Sequence, residues 1–260
     1  MRWRLLTLAG LALADLGSAA AGPPIIIAHR GRDASVPENT LAAFRHSIAA
    51  GITIMETDVR RTKDGEFVLL HDDTVDRTTN GRGGIGELTL KQAQALDAGA
   101  GEHIPTLREA LHAVRGTGTS LLLDMKPGTP LEPVLALVRT ERAERNVYFA
   151  LRSPQQASQL HRIAPDIRAV ALMKSIWDLD AFEAAGVRTI RLWSQWIDPA
   201  LGGDPKLVQK VKARGDSVWC LVGKRLPETD AEWAAAHSRL IALGVDAIAT
   251  DRPDLLRPMR

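Results

Sequence analysis

Glu56 and Asp58 stand two residues apart in the run Ile54-Met55-Glu56-Thr57-Asp58-Val59. In a β-strand, residues i and i+2 point to the same face. Two carboxylates on one face of a buried strand repel each other unless something cancels their charge. A divalent cation is the simplest cancelling agent, and hard cations prefer carboxylate oxygens. The alternative is an edge strand whose polar face meets water. The neighbours decide between the two. His29-Arg30-Gly31 closes the apolar run Ile25-Ile26-Ile27-Ala28, and His71-Asp72 closes Phe67-Val68-Leu69-Leu70. Leu121-Leu122-Leu123 runs into Asp124-Met125-Lys126, where an acid and a base again share one face. A lone histidine beside an apolar strand reads as a satisfied rim residue. Four strands that each end in such residues read as a site.

The rest of the chain must supply the frame. Nine apolar segments read as strands: 25–28, 54–59, 66–70, 120–124, 147–151, 167–172, 189–193, 217–222 and 247–250. After residue 105 they alternate with helical patterns, which predicts a parallel sheet, and their number favours a closed barrel. An eight-stranded barrel holds eight, so one of the nine lies outside it. The link between the second and third strands is too short for a crossover helix and marks an irregular unit. Residues 73–105 break the rhythm and read as an insertion above the strand ends. In a TIM-type (β/α)8 barrel the chemistry sits at that C-terminal end.

The ordered motifs resemble the glycerophosphodiester phosphodiesterase family. They are His29-Arg30-Gly31, Pro37-Glu38-Asn39-Thr40, Glu56-x-Asp58, Thr62-x-Asp64-Gly65 and His71-Asp72. Arg77-Thr78-Thr79-Asn80-Gly81, Ile104-Pro105-Thr106-Leu107, Asp124-x-Lys126 and Trp219 continue the series. Gly244-Val245-Asp246 and Thr250-Asp251-Arg252-Pro253 end it. Each motif alone is weak, and the ordered set is specific. The resemblance implies a TIM-type barrel with a small cap after the third strand. It also implies metal-assisted hydrolysis of a small-molecule glycerophosphodiester to glycerol 3-phosphate and an alcohol. On that reading Glu56, Asp58 and Asp124 hold one divalent metal, Mg²⁺ or Ca²⁺. His29 and His71 divide the proton transfers, and Arg30, Lys126 and Trp219 meet the substrate. Asp124 departs from the usual Glu-x-Lys motif by one methylene. The alternative enzyme reading keeps this site for lysophospholipids, as a lysophospholipase D. A non-catalytic barrel would be favoured by a missing histidine or ligand, and none is missing.

Composition narrows the classes further. The 260 residues carry a formal charge of +2 with acids and bases interspersed. No polybasic run points to nucleic acid. Residues 1–21 read as a signal peptide: Arg2 and Arg4, then an apolar stretch from Leu5 to Ala14, then Ala19-Ala20-Ala21. The expected mature chain is a single barrel domain over 22–260, exported to the periplasm or beyond, with no membrane span once the signal is removed. Cys220 is the only cysteine, so no internal disulfide forms and thiolate zinc sites are excluded. Gly81-Arg82-Gly83-Gly84-Ile85-Gly86 spells G-x-G-x-x-G, but it opens no helix in a βαβ unit and is read as accidental.

Overall fold

The computed structural model describes residues 22–32, 35–223 and 227–259. The expected signal segment, 1–21, lies outside the described residues. Nine strands are present among the described residues: β1 (Ile25–Ala28), β2 (Ile54–Arg61), β3 (Phe67–Leu69), β4 (Ser120–Met125), β5 (Val147–Leu151), β6 (Arg168–Leu172), β7 (Thr189–Trp193), β8 (Ser217–Leu221) and β9 (Ala247–Thr250). Eight of them form a closed parallel ring in the order β1-β9-β8-β7-β6-β5-β4-β2, sealed by pairing of β1 with β2. This is the TIM-type barrel. A helix follows most strands, as in Leu41–Ala49 after β1 and Leu131–Thr140 after β4. The alternating pattern along each strand splits the core in two. Met55, Leu121, Leu123, Ile190 and Leu192 face the helices, while Ile54, Leu122, Ala150, Val170 and Trp219 fill the barrel interior.

The ninth strand is β3, and it corrects one expectation. It runs antiparallel to β2, with Val59 opposite Leu69 and Arg61 opposite Phe67. The connection through Lys63-Asp64-Gly65 is too short for a parallel crossover, so the chain folds straight back as a hairpin. His71 therefore does not crown a barrel strand. It descends onto the site because β2 extends to Arg61, well above its neighbours, and β3 returns along that extension. β3 belongs to the inserted segment: Val68 and Leu70 pack with Val75, Ile85, Ala93, Ala98 and Ile104 in a separate small cluster.

Gly31 fixes the exit from β1. Its φ is +67°, and a Cβ there would come within 2.4 Å of the Phe44 ring. Only glycine meets both demands without displacing that ring. The tight turn that follows from this conformation carries Arg30 over the barrel mouth.

Candidate active site

In the β2–β4 register Asp58 lies opposite Asp124, and Glu56 lies two residues below Asp58 on the same face. Ligand oxygens of Glu56, Asp58 and Asp124 all fall within 4.8 Å of one another, and all three residues are buried. Burial first, then the Asp58 charge, push Glu56 up to about 7. Burial alone would raise Asp58 too, but the Lys126 ammonium, together with His71 and Arg30, prevails and holds Asp58 below the usual carboxylate range. Lys126 Nζ lies 2.8 Å from Asp124 Oδ2 and 2.5 Å from Asp58 Oδ1. The donor set fits a hard divalent cation. It has three carboxylates and no thiolate, and one acid, Glu56, is left under-compensated.

The two histidines sit on either side of this cluster, and each is anchored through Nδ1 to an aspartate. His29 Nδ1 lies 2.7 Å from Asp251 Oδ1, and His71 Nδ1 lies 2.7 Å from Asp72 Oδ1. Burial tends to raise Asp251, but its hydrogen bond from His29 lowers it; the Arg77 hydrogen bond takes Asp72 to about 2. Both aspartates are thus ionised near neutrality and accept, so each Nδ1 carries the proton and each Nε2 is left for reaction. His29 Nε2 lies 3.8 Å from Glu56. For His29, burial opposes protonation but the Asp251 hydrogen bond and the Glu56 charge prevail and raise its pKa. For His71, burial prevails and lowers it.

A network of pairs ties these parts together. Arg30 donates from Nη1 to Glu38 at 2.8 Å, and its Nε lies 3.7 Å from Asp58 Oδ2 without a hydrogen bond. Glu38 also receives Arg77 at 2.7 Å, and Arg77 holds Asp72 at 2.6 Å. Asn39 donates to Asp58 at 2.8 Å and accepts from Thr57 at 2.8 Å. The backbone amide of Arg30 donates to Glu56 Oε2 at 2.9 Å. Glu38 thus braces the arginines and is not one of the clustered acids.

The cleft, about 450 Å³, is lined by His29, Arg30, Glu56, Asp58, His71, Asp124 and Lys126 together with residues from the far wall. All the sequence-predicted site residues line it except Trp219. The structure corrects that expectation: Trp219 lies mid-strand in β8, is 5% exposed, and fills the barrel interior against Tyr148 at 5.2 Å. Trp193, at the end of β7, takes the place at the mouth. Sequence reading also missed Arg152, whose guanidinium grips Asp124 in bidentate fashion at 2.5 and 3.0 Å. Asp251, just past the end of β9, is the partner of His29 across 222 positions of sequence.

Comparison with known proteins gives the class. Residues 29–255 match the Glycerophosphoryl diester phosphodiesterase family. The chain belongs to that family and is a phosphodiester hydrolase. A curated relative, the glycerophosphodiester phosphodiesterase of Caldanaerobacter subterraneus subsp. tengcongensis, is 31% identical over 245 residues, covering 89% of this chain and 96% of its own. Among solved structures, a glycerophosphoryl diester phosphodiesterase from Parabacteroides distasonis superposes with a TM-score of 0.80 at 28% identity, over 92% of this chain and 87% of that one. A phosphodiesterase from Oleispira antarctica, solved with the product sn-glycerol-3-phosphate, gives 0.74 at 25% identity, over 91% and 96%.

Proposed function

We propose that this chain is a metal-dependent glycerophosphodiesterase that releases glycerol 3-phosphate and an alcohol. One observation carries the reading: two aspartate-anchored histidines flank a buried cluster of three carboxylates in one cleft. Glu56, Asp58 and Asp124 hold one divalent cation, Mg²⁺ or Ca²⁺. A cation bound there neutralises the charge that develops on the phosphoryl oxygens. Arg30, whose Nε donates to nothing among the described residues, offers its fork to the phosphate, and Lys126 adds a point charge. The Nε2 atoms of His29 and His71 divide the proton transfers. One takes the proton of the nucleophile, which is either water or the glycerol C2 hydroxyl. The other returns a proton to the departing alkoxide. Asp251 and Asp72 keep a proton on Nδ1 of both rings, so the base presents a free Nε2, while the acid enters as the imidazolium with a second proton on Nε2.

Residues 1–21 direct the chain out of the cytoplasm, and a mature N-terminus near Gly22 in the exported fraction tests this. The test of the activity is release of glycerol 3-phosphate from glycerophosphodiesters, with chelator and with metal restored. The same site acting on lysophospholipids is the second reading, favoured by the apolar side chains Leu172, Leu221 and Val222 on the far wall. Release of lysophosphatidic acid at a higher rate than glycerol 3-phosphate would select it.

A further inference from the structure

Arg191 is a buried charged residue of the cleft that the reaction scheme leaves without a task. In β7, Ile190 and Leu192 face the helices, so Arg191 and Trp193 face the cleft. β7 stands four places from β2 in either direction round the ring, directly across the barrel from Glu56 and Asp58. Arg191 is 7% exposed, and its guanidinium carbon stacks 4.1 Å from the Trp193 ring centroid. Its Nε and Nη1 have no hydrogen-bond partner among the described residues. The carboxylate that acts most strongly on it is Asp124, which is already held by Arg152 and Lys126. Leu172 stands opposite it on β6, and Ala150, Leu221 and Ala249 line the same cleft, while Arg152 is the cation that acts on it most. A buried guanidinium is tolerated when an anion completes it. The scissile phosphate already has Arg30 and Lys126 on the other side.

We propose that Arg191, fixed on the face of Trp193, is an anion subsite for the leaving alcohol. The preferred substrates are then glycerophosphodiesters whose alcohol carries a carboxylate or a second phosphate. This rests on the glycerophosphodiesterase reading above and narrows it. The flat tryptophan holds the guanidinium plane, and the surrounding apolar wall keeps water from competing for its N–H groups. The same wall disfavours a cationic alcohol such as choline, because Arg191 occupies the aromatic face that would otherwise attract it.

The test measures kcat/KM for metal-loaded enzyme on four diesters of glycerol phosphate. Their alcohols are choline, glycerol, glycolate and glycerol 3-phosphate. Wild type is expected to prefer the two anionic alcohols over choline by roughly tenfold or more, as for a charge-assisted hydrogen bond. Arg191→Gln should lower the anionic-to-neutral ratio by about tenfold, mainly through KM, and Arg191→Lys should keep part of the preference. The glycolate and phosphate arms show which anion is taken. A wild type without preference, or an Arg191→Gln loss that is equal on all four diesters, overturns the subsite and leaves the activity intact. A wild type that hydrolyses none of the four overturns the functional reading itself, and the subsite with it. Circular dichroism of both variants separates a folding defect from a lost contact. If Arg191→Gln unfolds, the ratio measured with Arg191→Lys decides: a shift toward neutral alcohols supports the subsite, and an unchanged ratio sinks it.

Discussion

Strands β1, β2 and β4, with the hairpin that β2 carries, hold His29, Arg30, Glu56, Asp58, His71, Asp124 and Lys126, each paired with an opposite charge among them or with Glu38 or Asp72. Strands β5 to β9 present a different surface to the same cleft: Ala150, Leu172, Trp193, Leu221 and Ala249, with Arg191 stacked among them and Arg152 and Asp251 reaching across. Charge is dense and paired on one side and sparse on the other. The paired side suits bond breaking, which needs groups fixed before the reaction begins. The apolar side suits discrimination, because a charge there meets few competitors. On the proposed roles, one barrel keeps reaction and selection on opposite walls.

The largest effects should come from the paired side. Chelation should abolish hydrolysis, Mg²⁺ or Ca²⁺ should restore it, and Glu56→Gln should be inactive at any metal concentration while the barrel stays folded. Full turnover in a rigorously metal-free preparation would falsify the assignment of the three carboxylates. His29→Ala and His71→Ala should each lower kcat by ~10²–10⁴-fold. A nitrophenyl leaving group should rescue whichever histidine serves as acid and leave the other variant slow, which assigns the roles. If neither is rescued and neither is slow, the histidines are not the proton carriers.

Asp124 and Arg152 bridge the two walls, and their variants should move in opposite directions. Asp124→Asn should raise the metal concentration for half-maximal activity by ~10–100-fold, in line with losses on disturbing a metal site. Arg152→Met removes a cation that competes for Asp124, so it should lower that concentration by a few-fold. Overlapping titrations of Asp124→Asn and wild type would leave Asp124 as an ion-pair partner only.

The smallest effect concerns stability on the apolar side. His237 is fully buried, hydrogen-bonded to Thr250 at 3.0 Å, and burial lowers its pKa to about 4 from an ordinary 6.5. Above pH 6.5 neither the folded nor the unfolded chain protonates it, and it adds no pH dependence. Between pH 6.5 and 4 the unfolded chain takes up the proton first, so stability falls by up to ~3 kcal/mol over that range. His237→Gln should flatten this part of the acid-denaturation curve. An unchanged slope would show that other groups dominate it.

The barrel was legible because apolar runs and their alternation with helices are local signals. The carboxylate cluster was legible because i, i+2 spacing on a strand fixes a shared face. The direction of β3 was legible only in part: the short link marked an irregular unit, but pairing partners are not written in the segment itself. Trp219 was misplaced because its depth along β8 depends on strand stagger, which no local pattern encodes. Arg191 sits in Thr189-Ile190-Arg191-Leu192-Trp193, where Ile190 and Leu192 face the helices, so the usual apolar-inward reading of alternation hides it. Arg152 and Asp251 look like ordinary surface charges until the ring closes and brings β5 and β9 beside the mouth.

His71 rides on a part of the chain with its own miniature interior, made of Val68, Leu70, Val75, Ile85, Ala93, Ala98 and Ile104. Its ties to the barrel include the β2–β3 pairing, Phe67 and Leu69 packed into the main core, the Arg60 grip on the His71 carbonyl at 2.7 Å, the Arg77–Glu38 pair and the Arg45–Glu102 pair. So small an interior opens more easily than the closed ring beneath it. On gentle warming, turnover should therefore disappear before the far-ultraviolet signal of the barrel does. A protease that nicks the stretch 73–105 should yield a cold, intact scaffold with half of its proton relay gone. Durability of the fold and durability of the catalyst should then part company, with the catalyst the first to go.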